Sequence, residues 1–159
     1  MAIEQMVRSA SDNKYIHKDF HNGLNLGITY LRESYGDEAV REYLQQFANA
    51  FYSPLKKVLC DHGLVAIEEH YKDIYEAEEV SCDVTYERTE DELVMRIKRC
   101  PAITHMRKTN QVIDPLYYET TLTVHNTLCE GTPYAFELVS YNEEDGASVQ
   151  RFYRRGEKK

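Results

Sequence analysis

The chain has no tryptophan, no CxxC pair and no apolar run approaching the length of a membrane span. It also lacks a Gly-rich phosphate loop, a Walker pattern and a Rossmann fingerprint, which removes the common signatures of nucleotide binding. Acidic residues outnumber basic ones, 27 Asp and Glu against 19 Lys and Arg. A formal net charge of −8 argues against a nucleic-acid surface, which needs a basic patch. The only basic cluster, Arg151, Arg154, Arg155, Lys158 and Lys159, reads as a solvated strand end and tail. The N-terminal MAIEQMVRSASD has no apolar core of the kind a secretory leader carries, and no segment suggests a membrane partner. Cysteines 60, 82, 100 and 129 have neither zinc-finger spacing nor a secretory context, so they read as reduced thiols of a cytoplasmic protein.

At 159 residues the chain suits one domain, large enough to bury roughly two-thirds of its unfolded surface. Residues 1–13 read as a lead-in, 14–155 as the domain and 156–159 as a tail. The aromatic set is skewed: 13 Tyr against 5 Phe. Tyrosines on apolar faces either pack at the edge of a core or line a pocket with a polar tip.

The hydrophobic period divides the chain. From Lys14 to Tyr35 a helix places His17, His21, Leu24 and Ile28 in one row. Gly36 ends it, and Asp37 begins a second helix bearing Val40, Tyr43, Leu44, Phe47 and Phe51 on one face. Pro54 forces a break or kink, with a short piece to Asp61. After His62-Gly63, Leu64, Ile67, Tyr71 and Ile74 mark a further amphipathic helix. The period then becomes two: Val80 to Glu87 and 93–99 form a hairpin about Thr89-Glu90-Asp91. A short helix follows to about Lys108, and Asp114-Pro115 and Gly131 bracket a helix over 115–130. Ala135–Tyr141 and Ala147–Arg154 form the last hairpin, about 142–146. The expected fold is α+β: N-terminal helices packed on an antiparallel sheet built from two hairpins flanking a further helix.

Candidate chemistry centres on Arg99-Cys100-Pro101-Ala102-Ile103-Thr104-His105, where strand pattern turns to helix pattern. Pro101 suits a first helical position, which sets Cys100 beside the free N–H groups of a helix start. That position favours a thiolate and lowers a thiol pKa, whereas burial as a small apolar residue would leave Cys100 inert. His105 or His125 could act as its base. His17 and His21 project from one helix face, the spacing by which helices offer two imidazoles to a divalent transition metal, and His125 and Cys129 repeat that spacing. Each pair could equally be core or surface residues. Glu76, Glu78 and Glu79 stand at the unfavourable end of a helix, a local violation of the kind that sometimes marks a site.

Four segments in order carry a family likeness: His17-Lys18-Asp19-Phe20-His21 with Gly23-Leu24-Asn25, Phe51-Tyr52-Ser53-Pro54-Leu55, Arg99-Cys100-Pro101-Ala102-Ile103, and Cys129-Glu130-Gly131-Thr132-Pro133-Tyr134. Together they resemble the bacterial L-2-amino-thiazoline-4-carboxylate hydrolase family, from about His17 to Phe152. A more distant likeness is to small-molecule-binding domains of the vinyl-reductase type. The first resemblance implies hydrolytic opening of a small heterocycle that carries a carboxylate beside an amidine-like carbon. Cys100, His105 and His125 would then serve catalysis, with Cys129 and Tyr118 close by. Arg99 or Arg107 would hold the carboxylate, and His17 and His21 a metal. The second implies a non-catalytic ligand cavity between sheet and helices. A homodimer is compatible with either.

Overall fold

The computed structural model describes residues 17–156. Four helices come first: α1 (His17–Tyr35), α2 (Asp37–Phe51), α3 (Ser53–His62) and α4 (Val65–Ala77). A single 3-10 turn, Ser81–Asp83, leads to β1 (Val84–Arg88) and β2 (Glu92–Ile97). Then follow α5 (Pro101–Lys108), α6 (Glu119–Cys129), β3 (Tyr134–Tyr141) and β4 (Ser148–Arg154). The fold is α+β, with N-terminal helices preceding an antiparallel sheet whose order is β1-β2-β4-β3. Two local hairpins are joined through β2 and β4, paired from Glu92↔Tyr153 to Ile97↔Ser148. No helix among the described residues is long and apolar enough to cross a membrane.

Alternation along the strands decides which sheet face is covered. Leu93, Met95 and Ile97 of β2, Phe136 of β3 and Phe152 of β4 are buried beneath the helices. The opposite face carries cross-strand ion pairs: Arg96 with Glu87, and Arg151 with Glu92 and Glu137. In α2 the buried residues Val40, Leu44 and Ala48 recur every fourth position, the stripe of a helix packed on one side. Pro54 starts α3 at a first-turn position rather than merely kinking α2. Gly63 closes α3 with φ +73°, and a Cβ there would lie 2.9 Å from the Tyr134 hydroxyl.

Two expected boundaries move. Residues 80–83 are not strand: the Asp83 amide closes a turn onto the Val80 carbonyl, and the buried Asp83 carboxylate accepts from Arg99 Nε at 2.5 Å. Residues 115–118 form turns, and α6 starts at Glu119. Asp114 caps these turns, which close with i→i+3 bonds such as Tyr117 N–H to the Asp114 carbonyl, and its carboxylate also ties them to α1. Arg32 Nε donates to both carboxylate oxygens, at 3.1 and 2.9 Å, and the Leu116 amide donates to Oδ1 at 2.9 Å. The buried Asn25 completes the tie, donating to the Val112 carbonyl and accepting from the Asp114 amide. These bonds fasten the 112–118 segment to α1 and so bring Tyr117 against His21. Arg41 of α2 likewise donates to the buried Glu119 at 2.9 Å, fixing α6 on α2.

The apolar interior falls into two clusters. One lies under the sheet around Leu59, Ile67, Met95, Phe136 and Phe152. The other joins α1, α2, α5 and α6 through Ile28, Leu44, Ile103, Met106 and Val124. Tyr52, at the junction of α2 and α3, packs against both.

Candidate functional site

Between the clusters lies a cavity of about 610 Å³, lined from the sheet side by Tyr71, Tyr75 and Ile97 and from the helix side by Leu24, Leu44, Ala102, Tyr117 and Val124. That volume falls within the usual range for small-molecule sites. Its mouth is aromatic. Phe20 and Phe51 both line it and are 44% and 63% exposed, respectively. Phe47 stacks between them, its ring 6.0 Å from Phe20 and 5.4 Å from Phe51. Helical spacing puts Phe47 and Phe51 on one face of α2, so the stack extends the apolar wall outward to the surface.

The wall's polar groups are mainly neutral. Burial raises the phenols of Tyr52, Tyr71, Tyr75, Tyr117 and Tyr141 above their usual pKa, so each keeps its proton at neutral pH. Tyr117 Oη and His21 Nδ1 share a 2.7 Å hydrogen bond, and Tyr71 Oη and His125 Nε2 share another. His125 sits on α6 with its ring 4.7 Å from Phe136 and 5.3 Å from Phe152. Desolvation, assisted by His70, lowers its pKa to about 3, which makes it a neutral imidazole. Ser148 and Gln150 of β4 bring a hydroxyl and a carboxamide to the lining. Glu78, the residue after α4, is buried and is the one carboxylate among the described lining residues; no Lys or Arg lines the cavity there.

Cys100 lines the cavity at the N-terminus of α5. Its thiol does not take on the acidity expected of that position. Burial raises its pKa, and this outweighs the lowering by the Ile103 and Ala102 backbone, with Glu78 adding to the rise. The corner is closed by the β3–β4 turn. The Cys100 amide donates to the Asp145 carbonyl at 2.8 Å, and Gly146 packs so tightly that a Cβ would come within 2.4 Å of Cys100 Cβ.

The structure gathers some of the sequence candidates and separates others. Cys100, His125 and His21 share the cavity. His105, one turn further along α5, is off the lining, so no shared pocket pairs it with the thiol. Arg99 is bound to Asp83, and Arg107 donates to the carbonyls of Glu143 and Glu144 in the β3–β4 turn. Neither reaches the cavity as a carboxylate clamp, because each is used to hold a turn. Tyr118 is half-buried with its ring 6.1 Å from Tyr141, outside the lining. Cys129 is sealed in the cluster under the sheet, where burial pushes its thiol up to about 12. The His125–Cys129 spacing thus sends one residue to the cavity and the other to the core. The side chain of His17 lies outside the described residues. Among the described residues no three of His, Cys, Asp and Glu converge as metal ligands.

Several lining groups escaped the sequence reading: Tyr71, Tyr117, Ser148, Gln150 and Gly146. A signal existed for two of them. Ser148, Gln150 and Phe152 alternate onto the inner face of β4, and polar residues on a covered face ask for a reason. Neither a scan against protein-family models nor a search of the curated proteins finds a match for this chain.

Proposed function

We propose that this protein is a small-molecule-binding domain that holds a mainly apolar ligand, without chemistry of its own, in the cavity between helices and sheet. The carrying observation is the cavity itself: about 610 Å³, apolar for most of its wall, polar at a few points and opening through stacked phenylalanines. A domain needing only stability would fill such space, since voids cost packing energy. The thiol and the imidazole fit a binding role, for one is less acidic than usual and the other holds no proton to give at neutral pH. The free cysteines suit a cytoplasmic setting.

A hydrolase acting on 2-amino-thiazoline-4-carboxylate remains the second reading, favoured by Cys100 sharing the cavity with His21 and His125. Against it stand the raised pKa of the buried Cys100 thiol and the commitment of Arg99 to Asp83 and of Arg107 to the β3–β4 turn.

Fluorescence of N-phenyl-1-naphthylamine, an uncharged dye that brightens in apolar sites, tests the binding reading. We expect one saturable site, lost in Thr121→Trp, which fills the cavity from a half-buried position of α6 and leaves thermal stability equal or higher. Val124→Phe is the second filling variant, for use if the first misfolds. Dye binding unchanged in well-folded filled variants would overturn the reading. Consumption of 2-amino-thiazoline-4-carboxylate by the wild-type chain, abolished in Cys100→Ala, would replace it with the hydrolase.

A further inference from the structure

The phenols of the cavity wall are not equivalent. Tyr71 and Tyr117 are each spent on a histidine, His125 and His21. Tyr75, near the end of α4, also lines the cavity and is only 8% exposed, yet among the described residues its hydroxyl has no hydrogen-bond partner. Buried polar groups are almost always hydrogen-bonded in folded proteins, and one that is not calls for a cause. Gln150 offers a contrast. Its Nε2 donates to Ser148 Oγ, while its Oε1 is unpartnered but sealed, out of reach of an entering molecule. The Tyr75 hydroxyl is unpartnered without being sealed, so it opens on the cavity that the residue lines.

Neighbouring groups place that hydroxyl. The Cys100 sulfur is close enough to act electrostatically on Tyr75, Tyr117 and Tyr141, which gathers the three phenols about the Cys100–Gly146 corner. Tyr117 is bound to His21, and Tyr141 is only partly buried, beside the ring of Tyr118. Tyr75 is left as the buried donor. Burial keeps its proton in place at neutral pH, and a phenol donates strongly but accepts weakly, because its lone pair is shared with the ring. The Phe20–Phe47–Phe51 part of the lining, by contrast, is all hydrocarbon.

We infer that, on the binding reading above, the ligand carries a carbonyl-type acceptor oxygen that docks on the Tyr75 hydroxyl at the Cys100 corner, with its hydrocarbon body along the Phe47 and Phe51 wall. This deepens that reading, because it assigns the residue that orients the ligand and the functional group it recognises.

The ketone dye 6-propionyl-2-(dimethylamino)naphthalene tests this, because its emission moves to longer wavelength when its carbonyl accepts a hydrogen bond. Its 6-propyl analogue has the same body without the oxygen. In the wild-type chain the ketone should bind saturably, with emission close to that in toluene containing phenol rather than in toluene alone. Tyr75→Phe removes one oxygen that has no partner among the described residues, so the fold should persist. In that variant the emission should move to shorter wavelength and ketone affinity should fall about three- to tenfold, while the propyl analogue binds as before. Tyr52→Phe removes another unpartnered lining phenol, one beside Phe51, and should leave the ketone's emission unchanged. Unchanged emission and affinity in a folded Tyr75→Phe chain, or a shift that follows Tyr52 instead, would overturn the inference and leave the binding reading intact. The carbinol made by reducing the ketone, if it bound more tightly than the ketone, would do the same. Should Tyr75→Phe fail to fold, the wild-type emission decides: a match to dry toluene overturns the inference. Binding of N-phenyl-1-naphthylamine that survives cavity filling would instead overturn the binding reading itself.

Discussion

His125 shows how a single environment turns a titratable residue into a neutral wall group. Tyr71 keeps its proton because burial disfavours the phenolate, and His125 Nε2 is the acceptor beside it. If the phenol donates, the ring proton resides on Nδ1, a buried atom with no hydrogen-bond partner in the protein. The pair therefore carries a cost, about 1–3 kcal/mol for an unsatisfied buried group. Linkage gives that environment a pH signature. The folded pKa of about 3 lies below the unfolded value near 6.5, so on acidification the unfolded state takes up the proton first. Stability contributed by this group is complete above pH 6.5 and is lost as pH falls toward 3. Between pH 7 and 5 the loss should be about 2 kcal/mol. His70 is shifted in the same direction, so the diagnostic quantity is the difference in slope between wild type and His125→Gln in urea denaturation at several pH values. Equal slopes would mean that His125 titrates normally and is not sealed from water.

Among the elements, the β3–β4 turn closes the Cys100 corner of the cavity through backbone. Gly146 has φ +70°, a region L side chains rarely adopt, and sits against both Cys100 and the Ile103 side chain. Gly146→Ala should cost about 2–3 kcal/mol, from left-handed strain together with the clash at the start of α5. It should also weaken dye binding by displacing the Cys100 corner. A loss below about 0.5 kcal/mol in chemical denaturation would show that the turn yields freely and does not define the cavity wall. The element scale also separates what the sequence makes legible from what it hides. Helical stripes such as Val40, Leu44 and Ala48 and the alternation of Leu93, Met95 and Ile97 follow from local period alone. The start of α6 is hidden because 115–118 close as i→i+3 turns, while Asp114, which caps them, is also held by Arg32, 82 positions away in the chain. The site is only partly legible for the same reason. Cys100 stands out at its strand–helix corner, yet its acidity depends on burial and on Glu78, neither of which is visible from the corner's own residues. Arg99 and Arg107 look free in the sequence and are each consumed by a turn.

At the scale of the molecule, two apolar clusters meet around a space they do not fill. The sheet, which carries ion pairs on its outer face, and the α1–α2–α5–α6 packing, tied by Asn25, Arg32 and Arg41, form walls on opposite sides. Among the described residues, exposed aromatic residues of α1 and α2, Phe20 and Phe51, stand at one side of this space. The central claim is that this space holds a ligand, and a direct measurement is diffraction from crystals grown with 10-bromodecan-1-ol, using the anomalous signal of bromine. A single bromine peak enclosed by Phe47, Tyr117, Val124 and Cys100, or lying on the path from the Phe20–Phe51 mouth to them, is the expected result. Bromine found only on the outer surface, with the cavity collapsed or filled by the protein's own side chains, would contradict the account.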